Sequence, residues 1–258
     1  MEASNTYKHW SKTFPPARPS EDVVRYFDQR VQPGAHVLVL GCTPELRSIC
    51  HRKGAKVVVL DRSREVYDNV DGMLNERGEE IFFQGDWRNF QTQLRFDFVF
   101  GHGSLSMLDF EGLEQVLQNV SSLLRPSGEC VFQIHTYGAP RFSTAASVVD
   151  HFRAEHMHQI FTATWFDIAN LVNDTSKGGF NYLAWKSQLA NELKSGLLSQ
   201  ADYEALMKPL QGHDIDIFLH DESKLEAAFK KHFSRIERYH SKDYPRSEFH
   251  PIFAMVRE

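Results

Sequence analysis

The patterned part of the chain begins with His36-Val37-Leu38-Val39-Leu40, a continuous apolar run that follows Pro33-Gly34 and stops at Gly41. A short unbroken run of this kind fits a strand buried on both faces, as in a parallel sheet. Lys56 to Leu60 repeats the pattern and stops at Asp61. Ile81 to Gln84 leads into Gly85-Asp86, Phe96 to Phe100 into Gly101, and Glu129 to His135 closes the series. Helical spacing fills the gaps. Leu46, Ile49 and Cys50 line residues 44–53, with Pro44 suited to a first turn and Gly54 to a stop. Ser63 caps a helix predicted over 64–76. Leu113, Val116, Leu117, Val120 and Leu124 mark another after Asp109, and Arg125-Pro126-Ser127-Gly128 reads as a turn. Strand–helix alternation with short turns predicts an α/β fold, a doubly wound and mostly parallel sheet covered by helices.

The second half changes rhythm. From about 141 to 212 the pattern is helical, broken at Gly178-Gly179. Residues 214–219 are strand-like, 223–232 helical, and 233–240 and 249–256 strand-like again. The final helix and two strands read as completing the sheet with an antiparallel edge hairpin. Three regions follow: an α/β core with its N-terminal segment over 1–140, a helical cap insertion over 141–212, and a C-terminal part of the core over 213–258. A cap in that position is expected over the carboxyl ends of the strands, where open α/β sheets bind ligands.

Charge and cysteine content narrow the partners. The 258 residues carry 29 Lys+Arg and 34 Asp+Glu, a net charge of −5. That balance argues against a broad basic nucleic-acid surface. Cys42, Cys50 and Cys130 are odd in number and form no Cys-x-x-Cys pair, which disfavours a disulfide framework or a thiolate zinc site. The first ten residues lack an apolar signal core, and no apolar run has membrane-spanning length. The expectation is a cytoplasmic protein with no membrane and no nucleic-acid partner.

The chemistry is expected in the strand-end loops Gly41-Cys42-Thr43, Asp61-Arg62-Ser63, Gly85-Asp86-Trp87 and Gly101-His102-Gly103-Ser104. Gly41 lets the main chain turn closely around a ligand, and the helix after it presents free N–H groups. Asp61 is placed to accept hydrogen bonds from two ribose hydroxyls. Asp86 suits an adenine amino group, with Trp87 as an apolar wall. Singly, each residue is as well explained as a turn glycine or a helix cap; four such loops on one sheet edge make a site.

These residues resemble a known family. Val37-Leu38-Val39-Leu40-Gly41-Cys42, Leu60-Asp61, Gly85-Asp86-Trp87, Phe96-Asp97-Phe98-Val99-Phe100 and Leu123-Leu124-Arg125-Pro126-Ser127-Gly128-Glu129 are similar to the ordered motifs of class I S-adenosylmethionine-dependent methyltransferases. The resemblance covers about residues 20–136. It implies a Rossmann-like seven-stranded sheet, S-adenosylmethionine as cofactor, and methyl transfer to a small-molecule nucleophile (O, N or S) by in-line displacement. Cofactor contacts would come from Gly41, Cys42, Thr43, Asp61, Arg62, Ser63, Asp86, Trp87, Gly101 and His102. The chain departs from the family at Val39, where an acidic residue is usual, and at Thr43-Pro44-Glu45-Leu46, where further glycines are usual. The methionine amine would then meet the carbonyls of Gly41 and Gly101. Its carboxylate would meet the N-terminal segment, with Tyr7, Trp10 and Arg18 as candidates.

An acceptor that must lose a proton needs a base. His102 after the fourth strand, His135 at the end of the fifth and Tyr137 beyond it are the candidates. His151, His156 and His158 cluster in sequence without a ligand pattern, so no metal is expected. Phe161, Trp165, Phe166, Tyr182 and Trp185 make the cap aromatic, chiefly as core and in part as pocket lining. The competing readings are a methyltransferase-like protein that binds cofactor or partner without turnover, and a nicotinamide dehydrogenase. The absence of Gly-x-Gly-x-x-Gly over 41–46 weighs against the second. No Asn/Asp-Pro-Pro-aromatic segment follows the fourth strand, which disfavours a nucleic-acid base as acceptor.

Overall fold

The computed structural model describes residues 10, 13–154, 160–174, 178–208 and 216–258. Nine strands run in chain order among them: β1 His36–Leu40, β2 Lys56–Asp61, β3 Glu80–Gln84, β4 Phe96–His102, β5 Leu124–Gln133, β6 Gly179–Asn181, β7 Asp216–Phe218, β8 Arg235–Tyr239 and β9 Ile252–Val256. The helices are α1 Glu21–Asp28, α2 Pro44–Arg52, α3 Arg64–Asp71, α4 Phe110–Leu123, α5 Ala145–Ala154, α6 Ile160–Val172, α7 Tyr182–Lys194, α8 Gln200–Met207 and α9 Glu222–Phe229. Seven strands make one sheet in the order β3-β2-β1-β4-β5-β9-β8. The first five are parallel to one another; β9 is antiparallel to both β5 and β8. This is the seven-stranded, mostly parallel Rossmann-like sheet, closed by an antiparallel edge hairpin.

The pleat explains the continuous apolar runs. Leu38, Leu40, Val58 and Leu60 point to the face covered by α4 and α9, where Leu113, Leu117 and Leu225 meet them. Val37, Val39, Val57 and Val59 point to the opposite face, against Val23 and Phe27 of α1 and Leu46 and Ile49 of α2. A strand covered on both sides needs apolar residues at every position. Each fully buried side chain of this kind contributes about 1.5–3 kcal/mol of transfer free energy.

Two local expectations are corrected. The helix predicted over 64–76 stops at Asp71. Arg47 and Arg77 hold the Asp71 carboxylate, and Ser48 Oγ accepts the Asn75 N–H, so contacts with α2 draw the chain out of the helix. The turn at 125–128 lies inside the span of β5: Phe96 pairs with Leu124 and Phe98 with Glu129, and Ser127 takes φ 63°.

Described residues between Ala145 and Leu219 build a separate apolar cluster. Val148, Val149, Phe166, Ile168, Trp185, Leu189 and Leu206 pack together, with Ile217 and Leu219 added from β7 and the residues after it. β7 pairs with β6, antiparallel, and not with the large sheet. Glu192 of α7 ties the layer together by accepting the Ala145 and Ala146 N–H groups at the start of α5. No helix among the described residues is long and apolar enough to cross a membrane.

Candidate active site

Register sets Leu40 of β1 opposite both Leu60 of β2 and Gly101 of β4, so Gly41, Asp61 and Gly101 lie together at the carboxyl end of the sheet. Gly41 takes φ +91°, and its N–H donates to Leu60 O at 2.9 Å. A β-carbon built on Gly41 would lie 3.9 Å from the Trp87 ring and 4.0 Å from Asp61 Oδ2, so the glycine leaves a cradle between those two side chains. The Trp87 indole is fixed there by donating to Leu60 O at 2.7 Å. Asp61 Oδ1 accepts the Ser63 N–H at 2.8 Å. Burial pushes the Asp61 carboxyl above its ordinary range, while the bonds from Ser63 and the Cys42 thiol pull the other way. Cys42 is buried, and burial next to Asp61 pushes its thiol up, so it behaves as a donor and not as a nucleophile. A partly desolvated acceptor with one oxygen turned to a glycine cradle suits a ribose diol, whose two hydroxyls would donate to it.

Thr43 precedes α2 without a side-chain capping bond. Glu45, in the first turn, accepts the Trp10 indole N–H at 3.0 Å and the Arg18 Nε–H at 2.5 Å. These contacts bring Trp10 and Arg18 to the beginning of α2. Tyr7 lies outside the described residues. Asp86 is engaged by Arg88 and by Arg62, which approaches at 2.5 Å; the bonds from Arg88 and then Arg62 hold its carboxyl well below the usual range. It is therefore a permanent anion, bracketed by two guanidinium groups.

Gly101 is the last residue but one of β4, opposite Leu40 of β1 and Phe132 of β5. A β-carbon there would come 2.8 Å from the Phe132 ring and would also run into Ser104 Oγ. Gly103 follows with φ +65°, and the loop returns through a short 3-10 turn, Ser104–Met107.

Residues 38–132, from β1 into β5, match a family model described as a methyltransferase domain. Over those residues the chain carries a methyltransferase domain. Solved structures agree on the fold. A methyltransferase from Clostridium acetobutylicum named as S-adenosylmethionine-dependent superposes with a TM-score of 0.55 at 12% identity, covering 98% of this chain and 96% of that one. A Rhodobacter sphaeroides protein carrying the name of a Zn-dependent alcohol dehydrogenase superposes with a TM-score of 0.64 at 16% identity, covering 98% and 95%. At such identities the likeness speaks for the fold alone. A search of the curated proteins finds no match.

The chain places its candidate bases unequally. His102 and His135 are 9% and 7% exposed, at the ends of β4 and just beyond β5. Burial pushes both imidazoles down to about 3, His102 being pushed further by His135, and His135 by His220. Tyr137 is 36% exposed, and its N–H donates to His220 O. The His135 ring is held on one side by His250, Nδ1 to Nδ1 at 2.8 Å, and is packed against Trp165 of α6 at 5.2 Å between centroids. Ser106 Oγ accepts the His135 main-chain N–H. Of the histidines clustered in sequence, His151 packs against Phe142 and Phe152, while His156 and His158 lie outside the described residues. No group of three or more His, Cys, Asp or Glu fit for a metal occurs among the described residues.

Sequence reasoning did not reach His250, His220, Gln133 or Tyr244. His250 lies just before β9, and because β9 runs antiparallel to β5, with Ile252 opposite Gln133, the residues preceding it fall at the carboxyl end of β5. Topology alone would have pointed there. The local sequence, a His before a Pro, carries no such signal.

Proposed function

We propose that this methyltransferase acts in the cytoplasm on a small-molecule nucleophile (O, N or S) enclosed between the strand ends and the helices of residues 145–207. The observation that carries the reading is the packing of Trp165 over His135: a cap aromatic covers the group best placed to meet an acceptor. An almost fully buried pair of imidazoles suits a molecule that can enter a crevice better than a polymer that must lie across it. The net charge of −5 also gives no electrostatic reason to hold nucleic acid. Cys42, Cys50 and Cys130 are all buried and unpaired, as suits a reducing compartment.

When bound, S-adenosylmethionine supplies a methyl group already activated on a sulfonium. The chain's own residues then have to hold and align. Asp61 accepts the ribose hydroxyls, with Ser63 and Cys42 fixing the carboxylate. Gly41 leaves the space, and Trp87 walls it. Arg62 and Asp86 stand at the adenine end. Trp10, Arg18 and Thr43, at the beginning of α2, receive the methionine end, and the Gly41 and Gly101 carbonyls accept from its amine. His102, His135 and Tyr137 face the acceptor. Neutral imidazoles suit this place, because a cationic one would repel a sulfonium. The test is a metabolite extract incubated with donor carrying a labelled methyl group. The expected result is a small product with the corresponding mass shift. Label appearing only in protein or nucleic acid would overturn the small-molecule reading.

A further inference from the structure

His135 and His250 meet through their Nδ1 atoms at 2.8 Å. Two neutral imidazoles at that distance share one hydrogen: one ring donates and the other accepts. Which ring donates decides what His135 presents on its far side. His250 is fully buried, its ring is packed by Trp165, Phe166 and Tyr244, and its Nε2 has no hydrogen-bond partner. A hydrogen on that Nε2 would be a donor sealed away from any acceptor, the rarer defect in folded proteins. A hydrogen on Nδ1 leaves only an idle lone pair there. The other end of His135 is different. Its Nε2 lies 3.7 Å from the point where Gly103 would carry a β-carbon, against the loop that follows β4. A hydrogen at that atom points toward that loop, at the carboxyl end of β4.

His102 is the complement. Its Nε2 is buried with no partner. As for His250, a hydrogen on that atom would be a buried donor without an acceptor, so the hydrogen sits on Nδ1 and Nε2 is a bare lone pair. Ser104 Oγ, two residues on, is also buried without a partner. Unpaired polar atoms gathered at one strand end are the expected signature of a site whose ligand completes them.

We infer that His250 is a positioning residue: it donates from Nδ1 to His135, fixes His135 as an Nε2–H donor toward the methyl acceptor, and so leaves His102 as the base. The inference rests on the reading of the strand-end crevice as the acceptor site, and it names the acceptor class. An oxygen compound fits, with a hydroxyl toward His102 and an oxygen lone pair toward His135. The hydroxyl O–H bond breaks, its electron pair stays on oxygen and forms the new bond to the methyl carbon. The proton goes to His102 Nε2, and the pair of the methyl–sulfur bond goes to sulfur. A weakly basic imidazole suffices, because a hydroxyl oxygen becomes strongly acidic as it takes on the methyl group. His250 gains and loses nothing in this step; it only holds the hydrogen on the correct nitrogen of its neighbour.

The experiment is long-range 15N–1H NMR of histidine-labelled full chain, with the rings assigned through His102→Gln, His135→Gln and His250→Gln. The expected tautomers are Nδ1–H for His102, Nε2–H for His135 and Nδ1–H for His250. His250→Asn retains a donor near the same place and should keep His135 in the Nε2–H form; His250→Leu removes the donor and should shift His135 toward Nδ1–H. An Nδ1–H form of His135 in the parent chain overturns the inference, and so does a His135 signal indifferent to His250→Leu. Should His250→Leu fail to fold, the parent spectrum and His250→Asn decide alone. Calorimetry with S-adenosylhomocysteine on the same samples tests the underlying site: tautomers as assigned without nucleoside binding would fault the site reading and not the histidine pair.

Discussion

Asp61, at the end of β2, turns Oδ2 to within 4.0 Å of the place where Gly41, at the end of β1, would carry a β-carbon. The two residues define one cradle, and each should be sensitive to change for a separate reason. Asp61→Ala removes the acceptor for the ribose hydroxyls. A hydrogen bond to a charged group contributes about 1.5–3 kcal/mol, so affinity for S-adenosylhomocysteine should fall about 10- to 100-fold in calorimetry. Gly41→Ala puts a side chain at φ +91° and into the cradle, and binding should fall with stability reduced as well. Unchanged affinity in Asp61→Ala would remove the nucleoside from this crevice.

Gly101 makes a different demand. Its backbone is unexceptional, but a β-carbon would press on the Phe132 ring at 2.8 Å and on Ser104 Oγ. Phe132 is fully buried in the sheet core and has no room to yield. Gly101→Ala is therefore expected to cost about 1–3 kcal/mol, with a fall in Tm of about 2–4 °C for each kcal/mol. Thermal unfolding followed by circular dichroism checks this. A Tm equal to that of the parent would mean that Phe132 can move aside.

Arg47 of α2 is fully buried and binds Glu80 at the start of β3, along with Asp71. His51 and Tyr67 also bond Glu80. Burial opposes the Glu80 charge, but the bonds from His51, Arg47 and Tyr67 outweigh it and hold the carboxyl at about 2. Removing one partner leaves a buried charge uncompensated. Arg47→Met should destabilise by about 3–5 kcal/mol, whereas Arg47→Met combined with Glu80→Gln should recover much of the loss. Urea unfolding of the two single variants and the double variant measures the coupling. Simple additivity would mean that the pair is not a unit.

What the sequence shows and what it hides divides along the range of the interactions. β1 to β5 and the loops holding Gly41, Asp61 and Gly101 are legible because burial on both faces writes itself into consecutive residues. The end of α3 at Asp71 is not, because it is set by Arg47 from another helix. The pairing of β7 with β6 is invisible for the same reason: a three-residue strand carries too little pattern to name its partner. His102 and His135 can be nominated from their places after strands. Their inequality cannot, since it depends on His250, which is 115 residues from His135 in the chain.

The buried histidines give the fold a dependence on pH with a definite sign. Burial holds His102 and His135 at about 3, His220 at about 4 and His250 well below its ordinary value, against 6.5 for a free imidazole. Between pH 6.5 and about 4 the unfolded chain therefore binds protons that the folded chain refuses. Stability is fully present above 6.5 and declines as the pH falls through that window, with a slope of up to about 1.4 kcal/mol per pH unit for each histidine. Glu80, depressed to about 2, adds a loss only below its unfolded value of about 4.5. The two contributions separate in urea unfolding at pH 8, 7, 6 and 5: a decline that begins near pH 6.5 reports the histidines, and His250→Asn should make it shallower by removing one of them. Stability that stays level down to pH 5 would mean that these imidazoles accept protons in the folded state and that the cluster is open to water.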